Sequence, residues 1–204
     1  MAQDLADDRE AVRAFFGERA AHWDARFPDD GPAYAAAVAE IGLRPGDAVL
    51  DAGCGTGRAL PTLRDAVGPR GTVLGADLTP EMLAEVVRAG RGNTALLFLT
   101  DVARLPLRRA CLDAVFGAGL ISHLPGPQSG LRELARVVRP RGRLALFHPV
   151  GRAALAARRG RRLTPDDVRA EPRLRTLLDA TGWRLVSFAD EDDGYLALAE
   201  RLPR

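Results

Sequence analysis

The sequence predicts an α/β protein whose seven-stranded, mostly parallel sheet carries helices on both faces. Three observations predict this class. Five short apolar runs alternate with helical patterns across residues 48–147, which is the arrangement of a parallel sheet. A glycine-rich loop follows the first of these runs. The last 22 residues leave the alternation and read as two strands around a tight turn, which indicates a C-terminal antiparallel hairpin.

The first strand and its loop occupy residues 48–57, which read A-V-L-D-A-G-C-G-T-G. The apolar start suits a buried parallel strand. The alternating glycines after Asp51 let the backbone turn sharply and approach a ligand closely. A helical pattern begins at Arg58 with Pro61 in its first turn, where proline is tolerated. Strand, glycine loop and helix together indicate a nucleotide-type binding site.

The spacing of the glycines separates two kinds of nucleotide site. The dinucleotide fingerprint G-x-G-x-x-G would need its third glycine at Arg58 when counted from Gly53, or at Leu60 when counted from Gly55. The observed pattern is G-x-G-x-G, which disfavours an NAD-dependent enzyme. Because a glycine-rich loop alone is weak evidence, the assignment depends on the segments that follow it.

Acidic residues follow the next two predicted strands. The strands after the first are predicted at residues 72–76, 95–99, 112–116 and 144–147. Asp77 ends the second strand 20 positions after Gly57, the interval at which an acidic residue binds ribose hydroxyls in βαβ nucleotide sites. Asp101 follows the third strand. Since ligands of open α/β sheets bind at the carboxyl ends of the strands, we expect both carboxylates at one site.

Helical patterns and the hairpin account for most of the remaining chain. Helices are predicted at residues 4–26, 34–41, from Thr79 onward, 131–138 and 173–180. The stretch R-P-R-G-R at residues 139–143 is predicted as a basic turn at a helix end. The hairpin strands are residues 183–188 and 195–199. Four N-terminal ring residues suit core packing, with a ligand lid as the alternative: His22, Trp23, Phe27 and Tyr34.

Taken together, these segments resemble the successive motifs of class I S-adenosylmethionine-dependent methyltransferases of the small-molecule type, similar to methyltransferase domains 11 and 25. The segments are V-L-D-A-G-C-G-T-G, the strand-end Asp77, T-D-V-A-R-L-P, L-D-A-V-F and L-R-E-L-A-R-V-V-R-P-R-G-R-L-A-L. The resemblance implies a Rossmann-like sheet with a terminal hairpin and S-adenosyl-L-methionine as cofactor. It implies a single domain over residues 1–204, with an N-terminal helical cap (1–42), a cofactor-binding core (43–148) and a variable helical segment with the hairpin (149–204).

The resemblance also implies which residues contact the cofactor. They would meet the methionine part (Gly53, Gly55 and the adjoining Asp51 and Cys54), the ribose and adenine (Asp77, Leu78 and Met82), the adenine edge (Asp101 and Val102) and the sulfonium end (Gly119 with Ala118 and Leu120). No metal is implied. The two cysteines, at positions 54 and 111, indicate neither a disulfide framework nor a metal cluster.

The predicted reaction is methylation of an oxygen or nitrogen atom of a small metabolite. Transfer from a sulfonium depends on positioning and desolvation, and a general base is needed only where the acceptor must lose a proton. His123 follows the fourth strand and His148 the fifth, so both are candidate bases, with His148 ranked first and structural hydrogen bonding as the alternative role. The alternative function is a non-catalytic or regulatory protein that binds the same cofactor.

Composition and charge bear on the partners and the compartment. Apolar residues make up 47% and charged residues 27% of the 204 residues, ordinary values for a globular protein. No apolar run suits a membrane span, and the acidic N-terminus does not read as a signal peptide. We therefore expect a cytoplasmic enzyme without membrane association. Its expected partner is a small-molecule substrate, and a homodimer is left open.

Arginine supplies the whole basic complement of the chain, because lysine is absent. The net charge is only +2, which does not favour a polyanion-binding protein. The stretch R-R-G-R-R at residues 158–162, with Arg152 nearby, could contact phosphates or the carboxylate or phosphate of a small substrate. A solvated helix face is the favoured interpretation. Nucleic-acid methylation is disfavoured, since residues 117–124 lack the Asn/Asp-Pro-Pro-aromatic motif of amino-methylating enzymes.

Overall fold

The computed structural model describes residues 2–26 and 30–203, with side chains from residue 8 onward. Phe27, one of the four predicted N-terminal ring residues, lies outside these described residues. Seven strands form one sheet: β1 (Ala48–Ala52), β2 (Thr72–Asp77), β3 (Leu96–Leu99), β4 (Leu112–Ala118), β5 (Val138–His148), β6 (Trp183–Glu191) and β7 (Gly194–Arg201).

The strand order is β3-β2-β1-β4-β5-β7-β6. The first five strands pair in parallel, and β7 runs antiparallel to both β5 and β6. The predicted fold class is therefore confirmed. From β1 the chain first builds outward through β2 to β3 and then returns to the other side of β1 with β4. This reversal is the topological switch point at which open α/β sheets bind their ligands.

Seven helices cover the sheet within the described residues: α1 (Ala2–Gly17), α2 (Gly31–Ile41), α3 (Leu60–Val67), α4 (Pro80–Arg88), α5 (Pro127–Val137), α6 (Arg152–Arg158) and α7 (Glu171–Asp179). The alternation of side chains along each strand divides the apolar core between two faces. Val49 of β1 packs on the face of α2, α3 and α4, whereas the adjacent Leu50 packs on the face of α5 and α7. Both faces are thus covered, as a parallel sheet requires.

The N-terminal helix is shorter than predicted. The sequence pattern predicts one helix over residues 4–26, but α1 ends at Gly17 and two short 3-10 turns follow, at Ala20–His22 and Asp24–Arg26. Glycine is a poor helix former, and a Cβ atom at Gly17 would lie 3.2 Å from the Glu81 carboxylate. The break redirects the chain across the carboxyl end of the sheet.

The arginine-rich stretch after α5 belongs to a strand rather than to a helix end. Helix α5 stops at Val137 and β5 begins at once at Val138. The register then shifts opposite residues 112–114, where Arg141 has a φ of 65°. A β-bulge of this kind kinks one strand of a pair. It is tied to β4 by the ion pair between Arg139 and Asp113 at 2.7 Å, a pairing that no local pattern indicates.

Candidate functional site

A cavity of about 410 Å³ opens at the carboxyl ends of the parallel strands, beside the switch point between β1 and β4. All twelve residues predicted to form the site line this cavity: Asp51, Gly53, Cys54, Gly55, Asp77, Leu78, Met82, Asp101, Val102, Gly119, His123 and His148. They come from positions up to 97 residues apart, and the sheet brings them together because each follows a strand that ends at the same edge.

The glycine-rich loop adopts a conformation that favours glycine. Gly53, Gly55 and Gly57 have φ values of 66°, 53° and 78°, the left-handed region that side chains with a Cβ rarely adopt. Gly53 and Gly55 line the cavity, whereas Gly57 does not. A Cβ at Gly57 would lie 2.9 Å from the Leu60 side chain. The first two glycines therefore open the backbone to a ligand, and the third allows close packing of the helices.

The Asp77 carboxylate joins the glycine loop to the start of α4. Its Oδ2 accepts the Gly55 amide at 2.8 Å, and its Oδ1 accepts the Thr79 amide at 2.8 Å. Burial raises the pKa of Asp77, and these backbone hydrogen bonds partly offset the rise. A carboxylate has about four acceptor positions, so Asp77 can both fix the loop and accept further bonds from a ligand in the cavity.

Asp51 is a deeply buried acid of the cavity. Its side chain is only 2% exposed, and Oδ1 has no hydrogen-bond partner among the described residues. Burial raises the pKa of Asp51 to about 8, and the negative charge of Asp77 adds to the rise. A buried acceptor without a partner is costly, so this oxygen is suited to a cationic donor within the cavity.

Asp101 is paired with the N-terminal helix, which the sequence did not indicate. Its Oδ1 accepts the Ala103 amide at 2.8 Å, and its Oδ2 accepts Arg9 Nε at 2.6 Å. Arg9 lies 92 residues away along the chain. The ion pair holds α1 against the edge of the sheet, next to the position predicted to meet the adenine.

The two candidate bases differ in their surroundings. The Nδ1 atom of His148 lies 2.7 Å from the Val150 carbonyl oxygen and 3.1 Å from the Val150 amide nitrogen. A proton on Nδ1 would donate to the carbonyl oxygen and leave the Nε2 lone pair free, whereas an unprotonated Nδ1 would accept from the amide. Burial lowers the pKa of His148 to about 4. His123 lies at the rim, where its ring packs edge-on against Phe16 at a centroid distance of 5.0 Å. Desolvation and the charges of Arg159 and Arg169 lower its pKa.

The N-terminal segment forms one wall of the cavity. Val12 and Phe16 of α1 line it together with Trp23, whereas His22 is exposed and does not. Tyr34 serves both predicted roles, because it lines the cavity and its ring also packs against Phe147 at 5.0 Å. The periodicity of these apolar residues cannot distinguish packing against the core from packing over a ligand.

A polar network fastens this wall to the glycine loop. The Thr56 hydroxyl donates to Asp24 Oδ1 at 2.6 Å. Arg91 donates to Asp24 Oδ2 at 2.6 Å and to the Thr56 carbonyl oxygen at 2.8 Å. Nearby, Arg58 pairs with Asp30 at 3.5 Å and lies over the Tyr34 ring. The sequence does not indicate the roles of Asp24, Asp30 and Arg91, because the hydrogen-bond partners in this network lie 28 to 67 positions apart.

The arginine-rich segment after β5 divides into two groups. Arg152 forms an ion pair with Asp190 at 2.8 Å. Its guanidinium group is therefore engaged within the fold and not in the phosphate contact that its position in the sequence suggested. Arg158 and Arg159 are exposed, as the favoured interpretation of a solvated helix face predicts, and they also line the cavity. Elsewhere in the described part of the chain, no cluster of metal-ligating side chains has the arrangement needed to hold a metal ion. No helix in that part has the length and apolarity needed to span a membrane.

Comparisons with known proteins find similarity to methyltransferases. The model of a family described as a methyltransferase domain matches residues 50–146. The chain is 38% identical over 110 residues to an uncharacterized 37.1 kDa protein in transposon TN4556 of Streptomyces fradiae, covering 53% of this chain and 32% of that protein. It is 29% identical over 168 residues to an arsenite methyltransferase of Halobacterium salinarum, covering 74% and 41%. The chain thus spans less than half the length of these relatives.

Other relatives are named as an O-methyltransferase and a C-methyltransferase. Among solved structures, an SAM-dependent methyltransferase from Aquifex aeolicus is 26% identical and superposes with a TM-score of 0.67. That match covers 81% of this chain and 87% of the other. The family model extends from within β1 to within β5.

Proposed function

We propose that this chain, a member of the class I S-adenosylmethionine-dependent methyltransferase family, transfers a methyl group to an oxygen or nitrogen atom of a small molecule bound in the cavity. The observation that carries the proposal is the convergence of the glycine loop and three strand-end aspartates on one cavity: Asp51, Asp77 and Asp101. The names of the relatives indicate methylation of different atoms: arsenic, oxygen and carbon.

The residues present fit S-adenosylmethionine chemically. The unpartnered, buried Oδ1 of Asp51 suits the ammonium group, because a buried acceptor gains most from a charged donor. Asp77 retains acceptor positions for a ribose diol. Asp101 and the Val102 backbone suit an adenine edge, with Leu78 and Met82 as apolar contacts. Gly53, Gly55 and Cys54 allow close approach of the methionine part, and Gly119 that of the sulfonium end.

Bound S-adenosylmethionine supplies a methyl group that its sulfonium already activates towards a nucleophile. The chain has to orient the acceptor and exclude water. Val12, Phe16 and Trp23 supply an apolar cover for this purpose. His148 is the proposed general base where the acceptor is a hydroxyl or an ammonium group, because it lines the cavity at the end of β5. Its low pKa keeps the ring neutral but makes it a weaker proton acceptor. His123 at the rim is the second candidate.

The first test measures cofactor binding without an acceptor. Calorimetric titrations with S-adenosylmethionine, S-adenosylhomocysteine and NAD should give binding of the two sulfur ligands only. Asp77→Ala should weaken that binding by about tenfold or more, because it removes charge-assisted hydrogen bonds. Asp65→Ala, an exposed aspartate on α3 outside the cavity, is the matched control and should bind normally. Binding of NAD alone would overturn the proposal.

The second test separates an enzyme from a protein that only binds the cofactor. Acceptor-dependent formation of S-adenosylhomocysteine is measured with panels of small hydroxyl, amine and carboxylate compounds. Turnover with any of these classes supports catalysis, and Asp77→Ala should lower kcat/KM for the same acceptor. Tight cofactor binding without turnover on any panel would favour the non-catalytic alternative.

A further inference from the structure

The cavity has a second wall that the cofactor-binding residues do not account for. It is built by the segments that follow β4 and β5 and by α6, and it is mainly apolar: Leu124, Pro125, Pro149, Val150 and Leu155. Arg158 and Arg159 line the same cavity at the end of α6. Apolar surface beside two guanidinium groups indicates a ligand with an apolar body and an anionic group.

Arg158 and Arg159 differ from the neighbouring arginines that form ion pairs with carboxylates. Arg152 donates from Nε to Asp190 at 2.8 Å, and Arg169 lies 3.0 Å from Asp167. These arginines are neutralised by nearby carboxylates of the fold. For Arg158 and Arg159, by contrast, the described part of the chain provides neither an ion pair nor a side-chain hydrogen bond. Two unneutralised cations therefore line the same cavity as the three strand-end aspartates.

The fold holds α6 firmly at its first residue and stops it abruptly at its last. A Cβ atom at Gly151 would lie 1.8 Å from the Glu191 carbonyl oxygen, so the helix start packs directly on the backbone of β6. At the other end Gly160 has a φ of 61°, and the Arg161 amide donates to the Ala156 carbonyl oxygen at 2.9 Å. A helix that ends in this way keeps its last residues at the cavity.

We propose that the methyl acceptor is an anion whose carboxylate or phosphate group is bound by Arg158 and Arg159, with its body against the apolar second wall. This inference rests on the proposed function and assigns its substrate class. The planar guanidinium fork matches the oxygens of a carboxylate or a phosphate. Such a ligand would divide the cavity by charge, with the cationic cofactor groups beside the aspartates and the anionic acceptor beside the arginines.

The neighbouring histidines are consistent with this division. Arg159 contributes to lowering the pKa of both His123 and His148, which means that its charge acts on the side of the cavity where the candidate bases lie. Both rings are held in the neutral form, so the arginines supply the positive charge there. A neutral histidine can then take a proton from the bound methyl acceptor, and it does not compete with the arginines for the anionic group of that molecule.

The experiment compares three probes of one shape on protein saturated with S-adenosylhomocysteine. The probes are 2-naphthoate, 2-naphthyl phosphate and the neutral 2-naphthamide, followed by fluorescence titration. The test variant is Arg158→Gln with Arg159→Gln. The matched control is Arg161→Gln with Arg162→Gln, which removes the same charge from exposed positions of the same stretch that do not line the cavity.

We expect at least one anionic probe to bind about tenfold or more tightly than the amide, since hydrogen bonds to charged groups are the stronger ones. The test variant should lose that preference and the control should keep it. Comparison of the naphthoate with the phosphate ester identifies which anion the pair prefers. Guanidinium groups at a helix end also interact favourably with its dipole, but that role predicts no difference between an acid and its amide.

Three results would overturn the inference: equal binding of the anions and the amide, unchanged anion binding in the test variant, or no anion binding. Calorimetry of S-adenosylhomocysteine on the same samples keeps the two proposals apart. Cofactor binding with no anion preference contradicts only the substrate class. Loss of cofactor binding in the unaltered protein contradicts the proposed function itself.

Discussion

The carboxyl group of Asp51 is surrounded by the β1 core and faces the Asp77 carboxylate. Both conditions disfavour its charged form, and they raise its pKa to about 8. In the unfolded chain the group ionises near its ordinary value of 3.8. Between these values the folded state binds the extra proton, so the free energy of unfolding falls as the pH rises.

The first prediction concerns Asp51→Asn in the protein without cofactor. The unaltered protein should lose up to about 1.4 kcal/mol of stability per pH unit on account of this group between pH 4 and 8. The asparagine variant should show a flatter dependence and greater stability at pH 8, measured by urea denaturation at each pH. The same variant should bind S-adenosylmethionine more weakly. Equal pH slopes for the two proteins would contradict the buried, protonated state.

The second prediction concerns His148. Its pKa of about 4 keeps it neutral from pH 5.5 to 8, so kcat/KM should not fall over that range through protonation of His148. His148→Gln should reduce kcat by about 100-fold or more if the ring is the base, with unchanged affinity for S-adenosylhomocysteine. An ionisation that persists in His148→Gln and vanishes in His123→Gln would assign the base to His123 instead.

Most of the site residues could be predicted because they follow strands. Asp51, Asp77 and Asp101 each come directly after an apolar run, and the edge of a parallel sheet collects such residues whatever the details of packing. The residues that were missed, such as Arg9 and Asp24, have partners distant along the chain. The sequence predicts a solvated helix face for Arg158, because composition does not indicate which residues of a short helix also line a cavity.

At the scale of elements, the glycine loop is held from two directions. Helices α3 and α4 pack close to Gly57. Asp24, in the N-terminal segment, accepts hydrogen bonds from Thr56 and Arg91. The helix lengths were harder to predict than the strands. The period of residues 4–26 continues through Gly17, but glycine is a poor helix former, and α1 ends at this residue.

The third prediction compares two glycines with similar backbone angles. Gly57 and Gly42 have φ values of 78° and 70°. A Cβ at Gly57 would lie 2.9 Å from Leu60, whereas nothing lies within 4 Å at Gly42. Gly42→Ala should therefore cost about 1–2 kcal/mol for the left-handed conformation alone. Gly57→Ala should cost about 1–3 kcal/mol more through crowding. Equal losses in urea denaturation would rule out a packing role for Gly57.

The fourth prediction tests how the N-terminal segment is fastened. Asp24→Asn weakens charge-assisted bonds to Thr56 and Arg91, so we expect about 1–3 kcal/mol lower stability and faster amide exchange in residues 8–26. The control is Glu18→Gln, which removes an exposed ion pair with Arg19 of a kind that contributes about 0–1 kcal/mol. Unchanged exchange in Asp24→Asn would mean that apolar packing alone holds the segment.

At the scale of the whole molecule, the cavity is where distant parts of the chain meet. Its lining runs from Val12 in α1 through the carboxyl ends of the strands to Arg159 beyond α6. The hairpin lies outside this lining, but β7 pairs along β5 up to His148 and Tyr195. It therefore fixes the end of the strand that carries a candidate base. The antiparallel turn that closes this arrangement was predictable from the E-D-D-G sequence.

The fifth prediction follows from this arrangement. A ligand that binds only the folded state stabilises it by about 2.7 kcal/mol at one hundred times its dissociation constant, so S-adenosylhomocysteine at that excess should raise the free energy of unfolding by this amount. Because Val12, Phe16 and Trp23 line the cavity together with the glycine loop, amide exchange should slow in residues 8–26 as well as in residues 51–57. Both effects should be smaller in Asp77→Ala at the same ligand concentration, because we expect its affinity to be lower by about tenfold or more. Protection confined to residues 51–57 would mean that the N-terminal wall leaves the ligand uncovered, and that water exclusion during transfer must then come from the acceptor itself.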